Sequence, residues 1–542
     1  MKNVLPAAPA ELQKLLVAEQ AAHAATRVLL QEAALERDAA KARLQALLKR
    51  YFGRSSEKLD PNQLALAWAT IEAEQAAATP AAPPVPVERK PRTPSVRRVQ
   101  RMEDLPVLET VVHDVQEAQK LAPDGTALVK IREEITEEVD YQPGKLFRRR
   151  IIRPVYASPS HAGAPQVAAL PARVIPGGQV GAGLIAHVVL SKYVDAIPLY
   201  RQEAMLGRLG PAFSRQAMTG WIEQAAGLFR PVYEELKKAV RTSAYAVGDE
   251  TPIRVLDPAR PGAAREAWLW TFLAPQPRIV VFDFQLTRSH EPALEFLQQF
   301  CGVFQTDGYA GYTKALRLLP QDRRTQIVHA NCMAHCRRPF VEALEAGDDR
   351  AAPFLAYLGA LYRIEKEMRE ATDQAREQAR LTRSIAWLVP MQQALAEAAN
   401  DPSILAQSAL GKAVHYALAR WTELTCFAQP GHGHVHIDSN VVENSIRPSA
   451  VGKKNFLFVG HPDAGWRSAV LYSILGTCKL HGVNEWSYLT WALPKLAAAT
   501  NQTAHLFTPQ RFAQVSGVSC SSDDADPVGV HPGSLPAPAP TA

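Results

Sequence analysis

The sequence has little of what would mark a membrane protein, a disulfide-rich protein or a uniformly basic one. In its 542 residues, no stretch approaches the roughly 20 uncharged apolar residues of a membrane-spanning helix. No continuous apolar run precedes Glu11, so no signal peptide is expected. Six cysteines are too few for a disulfide scaffold, which favours a reducing cytoplasm. A net charge of +6 excludes a histone-like protein but permits local binding of nucleic acid.

The N-terminal part, residues 1–76, is predicted to be helical or a coiled coil. Residues 10–50 are rich in Ala, Leu, Glu, Lys and Arg and contain neither Gly nor Pro. Leu16, Leu30 and Leu44 share one helical stripe. His23 and Arg37 interrupt the apolar register that a coiled coil needs. Two interpretations stay open, a coiled coil that joins copies into a homo-oligomer and an amphipathic helix that packs on its own chain.

Two segments are predicted to lie outside packed cores. Residues 77–103 are rich in Pro and Ala and then basic, which predicts a linker. Its cations would either contact phosphates or form a solvated tether. Residues 496–542 are predicted to be a largely disordered tail, because the sequence from Ser516 onward has no periodic apolar positions.

Two regions precede the main core. Residues 104–165 are predicted to form a small β-rich module, because IREEITEEVDYQ and KLFRRRIIRPVYA alternate apolar and polar residues. Residues 166–240 are predicted to be helical, with Ser214 as an N-cap. This region resembles a helix-turn-helix, in which Arg215 and Gln216 would read base edges. The same arrangement also occurs as ordinary helix packing, and that alternative stays open.

From Tyr245 the pattern changes to strands. Three apolar runs with short connections predict an antiparallel meander: Tyr245–Val255, Trp268–Phe272 and Ile279–Phe284. A helix, a fourth strand that ends at Asp307, a further helix and a fifth strand around Ile327 follow. This is the element order of an α/β, ribonuclease-H-like fold.

In that order the first and fourth strands are neighbours, so Asp249 and Asp307 would face each other. Two adjacent carboxylates repel unless a proton or a cation is shared. Mg²⁺ prefers carboxylates, water and phosphate oxygens, and two such ions can activate an attacking oxygen and stabilise a leaving one. Asp283 in the third strand is a rival, and Glu250 should point to the face opposite Asp249.

Glu443 is the candidate for a third acid. Asn440 lies three residues before it, so the pair also fits a helix capping box. The interval from Asp307 to Glu443 is too long for an ordinary connection and has helical spacing. We therefore predict a helical insertion at 332–431 within a catalytic core of 241–331 and 432–495.

Several blocks, in order, resemble the large DDE-type transposase of the insertion-sequence-66 family of bacterial elements. They are KRYFGRSSEKLD, YVDAIPLYRQE, VGDETPIRVLD, FQTDGYAGY, CMAHCRRPFVEA, IDSNVVENSIRPSAVGKKNFLFVG and YSILGTCKLHGVNEWSYL. The resemblance covers residues 12–495 and implies that the family's acidic triad falls on Asp249, Asp307 and Glu443. It implies hydrolysis of phosphodiesters at the element's ends with two Mg²⁺ or Mn²⁺ ions, followed by attack of the freed 3′-hydroxyl on target DNA.

The resemblance also implies partners. These are the element's terminal inverted repeats, target DNA, further copies of the chain and accessory proteins of the same element, at the nucleoid and without a membrane. Arg337 and Arg338 would contact DNA, as would Arg447, Lys453 and Lys454, which otherwise form a solvated basic turn.

The sequence departs from the family in two places. The family commonly has a zinc-ribbon-like module with two cysteine pairs, and other residue types occupy those positions here: Leu121, Asp124, Ser158 and His161. Because structural zinc needs four thiolate or imidazole ligands, no zinc is predicted there. Asn444 stands where the family usually has an arginine.

Two further histidine-containing groups are weighed against metal binding. His329, Cys332, His335 and Cys336 have irregular spacing and are interpreted as part of a helix start. His432, His434 and His436 are interpreted as loop residues or weak DNA contacts. Two alternatives to a transposase remain, a catalytically silent DNA-binding or regulatory relative and a ribonuclease-H-like nuclease acting in repair.

Overall fold

The computed structural model describes residues 9–52, 144–149, 151, 155–156, 166–167, 172–210, 213–260 and 262–517. The chain divides into two compact units, 1–60 with 152–527 and 61–151 with 528–542. In the second unit the described residues form neither helix nor strand, so the first part of the predicted run KLFRRRIIRPVYA is irregular, and only its end, Val155–Tyr156, is a strand. The other predicted run, IREEITEEVDYQ, lies outside the described residues. In the first unit a short strand β1 (Val155–Tyr156) pairs antiparallel with β2 (Gln166–Val167). Alternation alone does not make a strand, since a strand also needs a partner for its backbone groups.

Helix α1 spans Pro9–Phe52, which confirms the predicted N-terminal helix. Its second half packs on the same chain, where Gln31 Nε2 donates to the Ala386 carbonyl at 2.8 Å and Asp38 pairs with Arg363. Its first half exposes a set of large apolar side chains: Leu16, Val17, Val28, Leu29 and Leu30. The two interpretations of this helix therefore apply to different halves of it, intrachain packing to the second and an uncovered apolar surface to the first.

Three helices follow in the region predicted to be helical: α2 (Ala182–Tyr193), α3 (Leu199–Gly207) and α4 (Arg215–Arg241). Ser214 caps α4, because its Oγ accepts from the Ala217 N–H at 3.2 Å, as predicted. Helix α4 packs directly on the core, and its Glu223 pairs with Arg467 at 2.7 Å.

Five strands form one mixed sheet in the first unit: β3 (Tyr245–Leu256), β4 (Ala264–Ala274), β5 (Ile279–Gln285), β6 (Gly302–Thr306) and β7 (Ile327–Asn331). The spatial order is β5-β4-β3-β6-β7. Strand β3 is antiparallel to β4 and parallel to β6, β4 is antiparallel to β5, and β7 is parallel to β6. The predicted meander and the predicted contact between the first and fourth strands are both confirmed.

The remaining long elements that the structure describes are helices. Beside the sheet lie α5 (Glu291–Leu297), α6 (Ala310–Leu318) and α7 (Gln321–Arg324). The predicted insertion is helical, with α8 (Met333–Glu345), α9 (Ala352–Glu367), α10 (Asp373–Ala379), a π-helix (Arg380–Ser384), α11 (Ile385–Asn400), α12 (Ala409–Ala419) and α13 (Trp421–Leu424). The chain then forms α14 (Asn440–Phe456), α15 (Gly465–Leu480), α16 (Glu485–Ala498) and α17 (Pro509–Ser516).

The start of the C-terminal segment is helical. Helix α17 lies inside the predicted tail, so the first part of that segment belongs to the fold, while 518–542 lie outside the described residues. Among the helices that the structure describes, none combines the length and apolarity needed to cross a bilayer.

Hydroxyl side chains cover the outer edge of β5. Ser473 Oγ accepts from the Phe282 N–H at 2.8 Å, and Thr477 Oγ1 accepts from the Val280 N–H at 3.3 Å. The Tyr233 hydroxyl donates to the Phe282 carbonyl at 2.8 Å. An edge strand normally leaves such groups unpaired, and here α4 and α15 satisfy them.

Candidate active site

Two of the predicted acids lie at neighbouring strands, Asp249 within β3 and Asp307 directly after the last residue of β6. The parallel register pairs Val247 of β3 with Gln305 of β6. Asp249 and Asp307 each lie two residues further along. Because side chains alternate between the faces of a strand, Asp249 belongs to the face of Val247. Asp307 follows the end of the neighbouring strand, and its negative charge acts on Asp249. The fold therefore brings the two acids together, as the sequence predicted.

The third acid, Glu443, lies in the first turn of α14. The helix begins at Asn440 after its N-cap Ser439, and the Asn440 side chain donates to the Asp438 carboxylate at 2.9 Å. Asn440 is therefore a helical residue and not the cap, and the capping-box interpretation of Glu443 is wrong. His335 at the start of α8 places its Nδ1 3.9 Å from Glu443 Oε1.

The three carboxylates influence one another electrostatically. Burial, together with the negative charges of Glu250, Asp307 and Glu443, raises the pKa of Asp249 to about 8, against the lowering effect of the Glu250 N–H. Such a carboxyl group is ionised only at a cost that a nearby cation would remove. Within the described ranges, no three His, Cys, Asp or Glu side chains are grouped closely enough to hold one ion. The three acids are thus close enough for their charges to affect Asp249, but they do not surround a single ion-sized site.

Glu250 lies on the opposite face, as strand alternation predicts. It accepts from Arg288 Nη2 at 2.6 Å and from the Tyr312 hydroxyl at 2.7 Å. The Arg288 guanidinium stacks on the rings of Trp268 and Tyr309, at 4.7 and 4.0 Å from their centroids. Sequence reasoning missed Arg288, which lies outside the matched blocks, whereas Tyr312 belongs to FQTDGYAGY and that block could have indicated it.

The rival acid Asp283 is remote from this arrangement in the sheet. It lies on β5, which β4 separates from β3. Its carboxylate accepts from Gln285 Nε2 at 2.9 Å, and burial raises its pKa. Strand order therefore favours the pair of acids on β3 and β6 over Asp283.

The predicted DNA-contact residues before α14 are exposed in two separate places. Arg215 and Gln216 begin α4, where Arg215 pairs with Glu203 at 3.1 Å. Arg337 and Arg338 lie in the first half of α8. All four side chains are placed where a polyanion could reach them.

The basic residues of α14 divide into two kinds. Arg447 lines, with Glu443, a solvent-open depression of about 480 Å³, and Lys454 is exposed. Lys453 instead donates from Nζ to Thr251 Oγ1 at 3.0 Å and to the following carbonyl oxygen at 2.8 Å. Lys453 therefore holds α14 against β3, a role that the sequence did not indicate.

The histidine and cysteine groups have other contacts. His329 Nε2 lies 3.0 Å from Thr306 Oγ1, and Cys332 Sγ accepts from the Ser439 N–H at 3.2 Å. The positions that correspond to the family's zinc ligands lie outside the described residues: Leu121, Asp124, Ser158 and His161.

The three alternating histidines lie in turns and irregular structure, which confirms a loop: His432, His434 and His436. Burial lowers the pKa of His436 to about 4. The positive charges of Arg376 and Arg380 act in the same direction, as does His434, and Asp373 opposes them. His436 is therefore neutral in the folded protein at neutral pH.

Comparison with known sequences agrees with this arrangement. A protein-family model described as "Transposase IS66 family" matches residues 177–467, and one described as "Transposase C of IS166 homeodomain" matches residues 39–110. The first match covers more than half of the chain and includes all three acids. The chain is thus a protein of the transposase class. It belongs to the IS66 family.

Similar proteins occur in Sinorhizobium fredii. The uncharacterized protein y4jD is 32% identical over 400 residues, which are 72% of this chain and 77% of the relative. The uncharacterized protein y4qI is 30% identical over 382 residues, 69% of this chain and 70% of the relative. The uncharacterized protein y4hP is 24% identical over 396 residues, 69% of each. Membership of the family suggests a transposase that acts on DNA.

Proposed function

We propose that the chain is a DNA transposase that cleaves and joins phosphodiester bonds at the ends of a bacterial insertion element. The observation that carries the proposal is the electrostatic coupling of Asp249, Asp307 and Glu443, which come from two adjacent strands and a distant helix. The strand order supports a ribonuclease-H-like fold, with Asp249 on the central strand β3 and Asp307 at the end of its neighbour β6. Family membership supports DNA as the substrate.

The donor set fits Mg²⁺ or Mn²⁺. All three side chains offer carboxylate oxygens, which these hard cations prefer over thiolate or imidazole. The raised pKa of Asp249 supports this proposal, because burial and the neighbouring carboxylates make its negative charge unfavourable and a bound cation would offset that cost. Because the three side chains are not gathered around a common centre, Asp249, Asp307 and Glu443 would have to close around the two ions on binding. The ions would supply polarisation of the phosphate and of the attacking oxygen.

The protein's own residues bind and orient the DNA. Asp249 lies within the hydrogen-bonded sheet, and Asp307 directly follows the adjacent strand β6, so the pairing of the two strands brings the two acids together. Arg447 and Lys454 lie on the exposed surface of the helix that carries the third acid, where they can bind backbone phosphates beside the reacting bond. Arg337 and Arg338, which are exposed on α8, would bind further backbone phosphates.

The test compares acid variants of the full-length protein. Asp249→Asn, Asp307→Asn and Glu443→Gln keep side-chain size and remove charge. Each is assayed in Mg²⁺ for cleavage and strand transfer on duplexes with the inverted repeats that flank the gene, and for DNA affinity by gel shift. We expect cleavage to fall at least a thousandfold and the Kd for DNA to change by less than about threefold.

Asp283→Asn is the matched control, since it neutralises another half-buried acid of the same sheet. It should cleave like the unmodified protein. Cleavage by Asp249→Asn at the unmodified rate would overturn the proposal. Binding without cleavage by the unmodified protein, in both Mg²⁺ and Mn²⁺, would instead favour a catalytically silent relative.

A further inference from the structure

The irregular segment 429–439, here called the connector, leads into α14 and determines the position of Glu443. Residues 429–439 consist of turns and irregular structure between the helical insertion and α14. Glu443 follows this connector by one helical turn. An irregular segment keeps one conformation only if other parts of the protein satisfy its backbone groups, so its contacts decide how well the third acid is placed.

A buried arginine of the insertion satisfies the start of the connector. The Arg380 side chain is 1% exposed. Its Nε and Nη2 donate to the Glu365 carboxylate at 2.8 and 2.6 Å, and its Nη1 donates to the carbonyl oxygens of Phe427 and His432, both at 3.1 Å. A buried charge is tolerated when it is paired and fully hydrogen-bonded, and these contacts meet that condition.

A second contact holds the same stretch. Arg376 Nη1 donates to the Gly433 carbonyl at 3.1 Å and to Asp373 at 2.9 Å. A Cβ at Gly433 would lie 2.1 Å from the Asp373 carbonyl oxygen, so the connector approaches the start of α10 as closely as glycine permits. The insertion is therefore fitted to the connector backbone.

The insertion carries an unusual element at this point. Arg380 is the first residue of the π-helix that lies between α10 and α11. Such single-turn bulges are rare and recur at functional sites. Arg383, three residues on, is exposed and pairs with Glu367 at 2.5 Å. The π-helix thus contains one buried arginine, Arg380, which contacts the connector, and one exposed arginine, Arg383, which does not serve it.

The catalytic sheet holds the far end of the connector. The His436 N–H donates to the Tyr245 hydroxyl oxygen at 3.2 Å, and Gln305 Nε2 donates to the His436 carbonyl at 2.9 Å. The Tyr245 hydroxyl donates to Gln305 Oε1 at 2.6 Å. Tyr245 belongs to β3, which carries Asp249, and Gln305 belongs to β6, which Asp307 directly follows.

We propose that Arg380 is a positioning residue for Glu443. By fixing the connector on the insertion, it sets the third acid against the two acids of the sheet. The helical insertion is then part of the catalytic scaffold. This inference rests on the proposed metal-binding function of the three acids.

The experiment uses the full-length variants Arg380→Gln and Glu365→Gln, with Arg383→Gln as the matched control. Two quantities are measured, the cleavage rate constant on bound DNA and the midpoint for Mn²⁺ binding without DNA, from the electron paramagnetic resonance signal of free Mn²⁺. We expect Arg380→Gln to lower the rate constant about tenfold or more and to raise the Mn²⁺ midpoint by a similar factor, as for residues that orient metal ligands. Arg383→Gln should change neither.

The Mn²⁺ midpoint separates positioning from stability alone. A variant that is only less stable loses folded protein, measured by circular dichroism, while its folded fraction keeps the midpoint. Glu365→Gln leaves the arginine in place and removes its counter-charge, so it should shift both quantities in the same direction by less. If Arg380→Gln does not fold, the Glu365→Gln variant alone tests whether Arg380 positions Glu443.

Two outcomes separate this inference from the function on which it rests. If Glu443→Gln is inactive while folded Arg380→Gln or Glu365→Gln keeps the unmodified rate constant and midpoint, the role of Arg380 is overturned and the function stands. If Glu443→Gln cleaves like the unmodified protein, the proposed function of Glu443 is overturned, and the role of Arg380 with it.

Discussion

Replacing Lys453 or Lys454 by methionine should separate a lysine that holds α14 in place from one that binds DNA. The two residues are neighbours in the last turn of α14, so their sequence context is the same. Lys453 Nζ donates to Thr251 Oγ1 at 3.0 Å and to the Pro252 carbonyl at 2.8 Å. Lys454 is exposed. Methionine keeps most of the apolar stem of either side chain and removes the charge.

The two substitutions should affect different quantities. Lys453→Met loses two hydrogen bonds from a cationic donor that water partly screens, so the free energy of unfolding should fall by about 1–2 kcal/mol. Lys454→Met should leave stability unchanged. If Lys454 contacts one phosphate, its removal should lower the slope of log affinity against log salt by about 0.9 and weaken DNA binding several-fold.

Chemical denaturation measures the first quantity, and fluorescence anisotropy on a labelled duplex at four salt concentrations measures the second. The reasoning is refuted if Lys453→Met is as stable as the unmodified protein and lowers the salt slope as Lys454→Met should. In that case the contacts to β3 would not be the role of Lys453 in solution.

Two other predictions concern acidity and assembly. The pKa of His436 is about 4 in the fold against 6.5 in the unfolded chain, so its contribution to stability is full above pH 6.5 and is lost as the pH falls towards 4. Moving from pH 7 to pH 5 should cost about 2 kcal/mol more in the unmodified protein than in His436→Gln, measured by denaturation at both values; equal losses would contradict this. Replacing Leu16 and Leu30 together by glutamate should lower the mass of the full-length protein in light scattering, if the exposed first half of α1 joins copies of the chain. An unchanged mass would show that another surface joins them.

Local patterns predicted the sheet well. Each of the five strands contains a short apolar run, so the existence of the strand could be predicted without knowledge of its partners. The facing of Asp249 and Asp307 followed from element order, because that order makes the first and fourth strands neighbours. Of the run KLFRRRIIRPVYA only the end, Val155–Tyr156, is a strand, because alternation does not reveal where a partner strand is present.

The third acid and its support were less accessible from local patterns. Glu443 fitted a capping box as well as a catalytic position, and family resemblance favoured the second. Helix α14 removes the ambiguity, since its N-cap is Ser439 and Asn440 is already helical. Arg380 carried no signal, because its partners at Phe427 and His432 are distant in sequence and offer backbone oxygens that no residue type reveals.

The hydroxyl-covered edge of β5 has a consequence for how copies of the protein can meet. The backbone groups of Val280 and Phe282 are already engaged by α4 and α15. A strand from another molecule therefore finds no ladder to extend there, and β-augmentation at this border would require α15 to detach first. Growth of the sheet into fibrils is opposed at the same place.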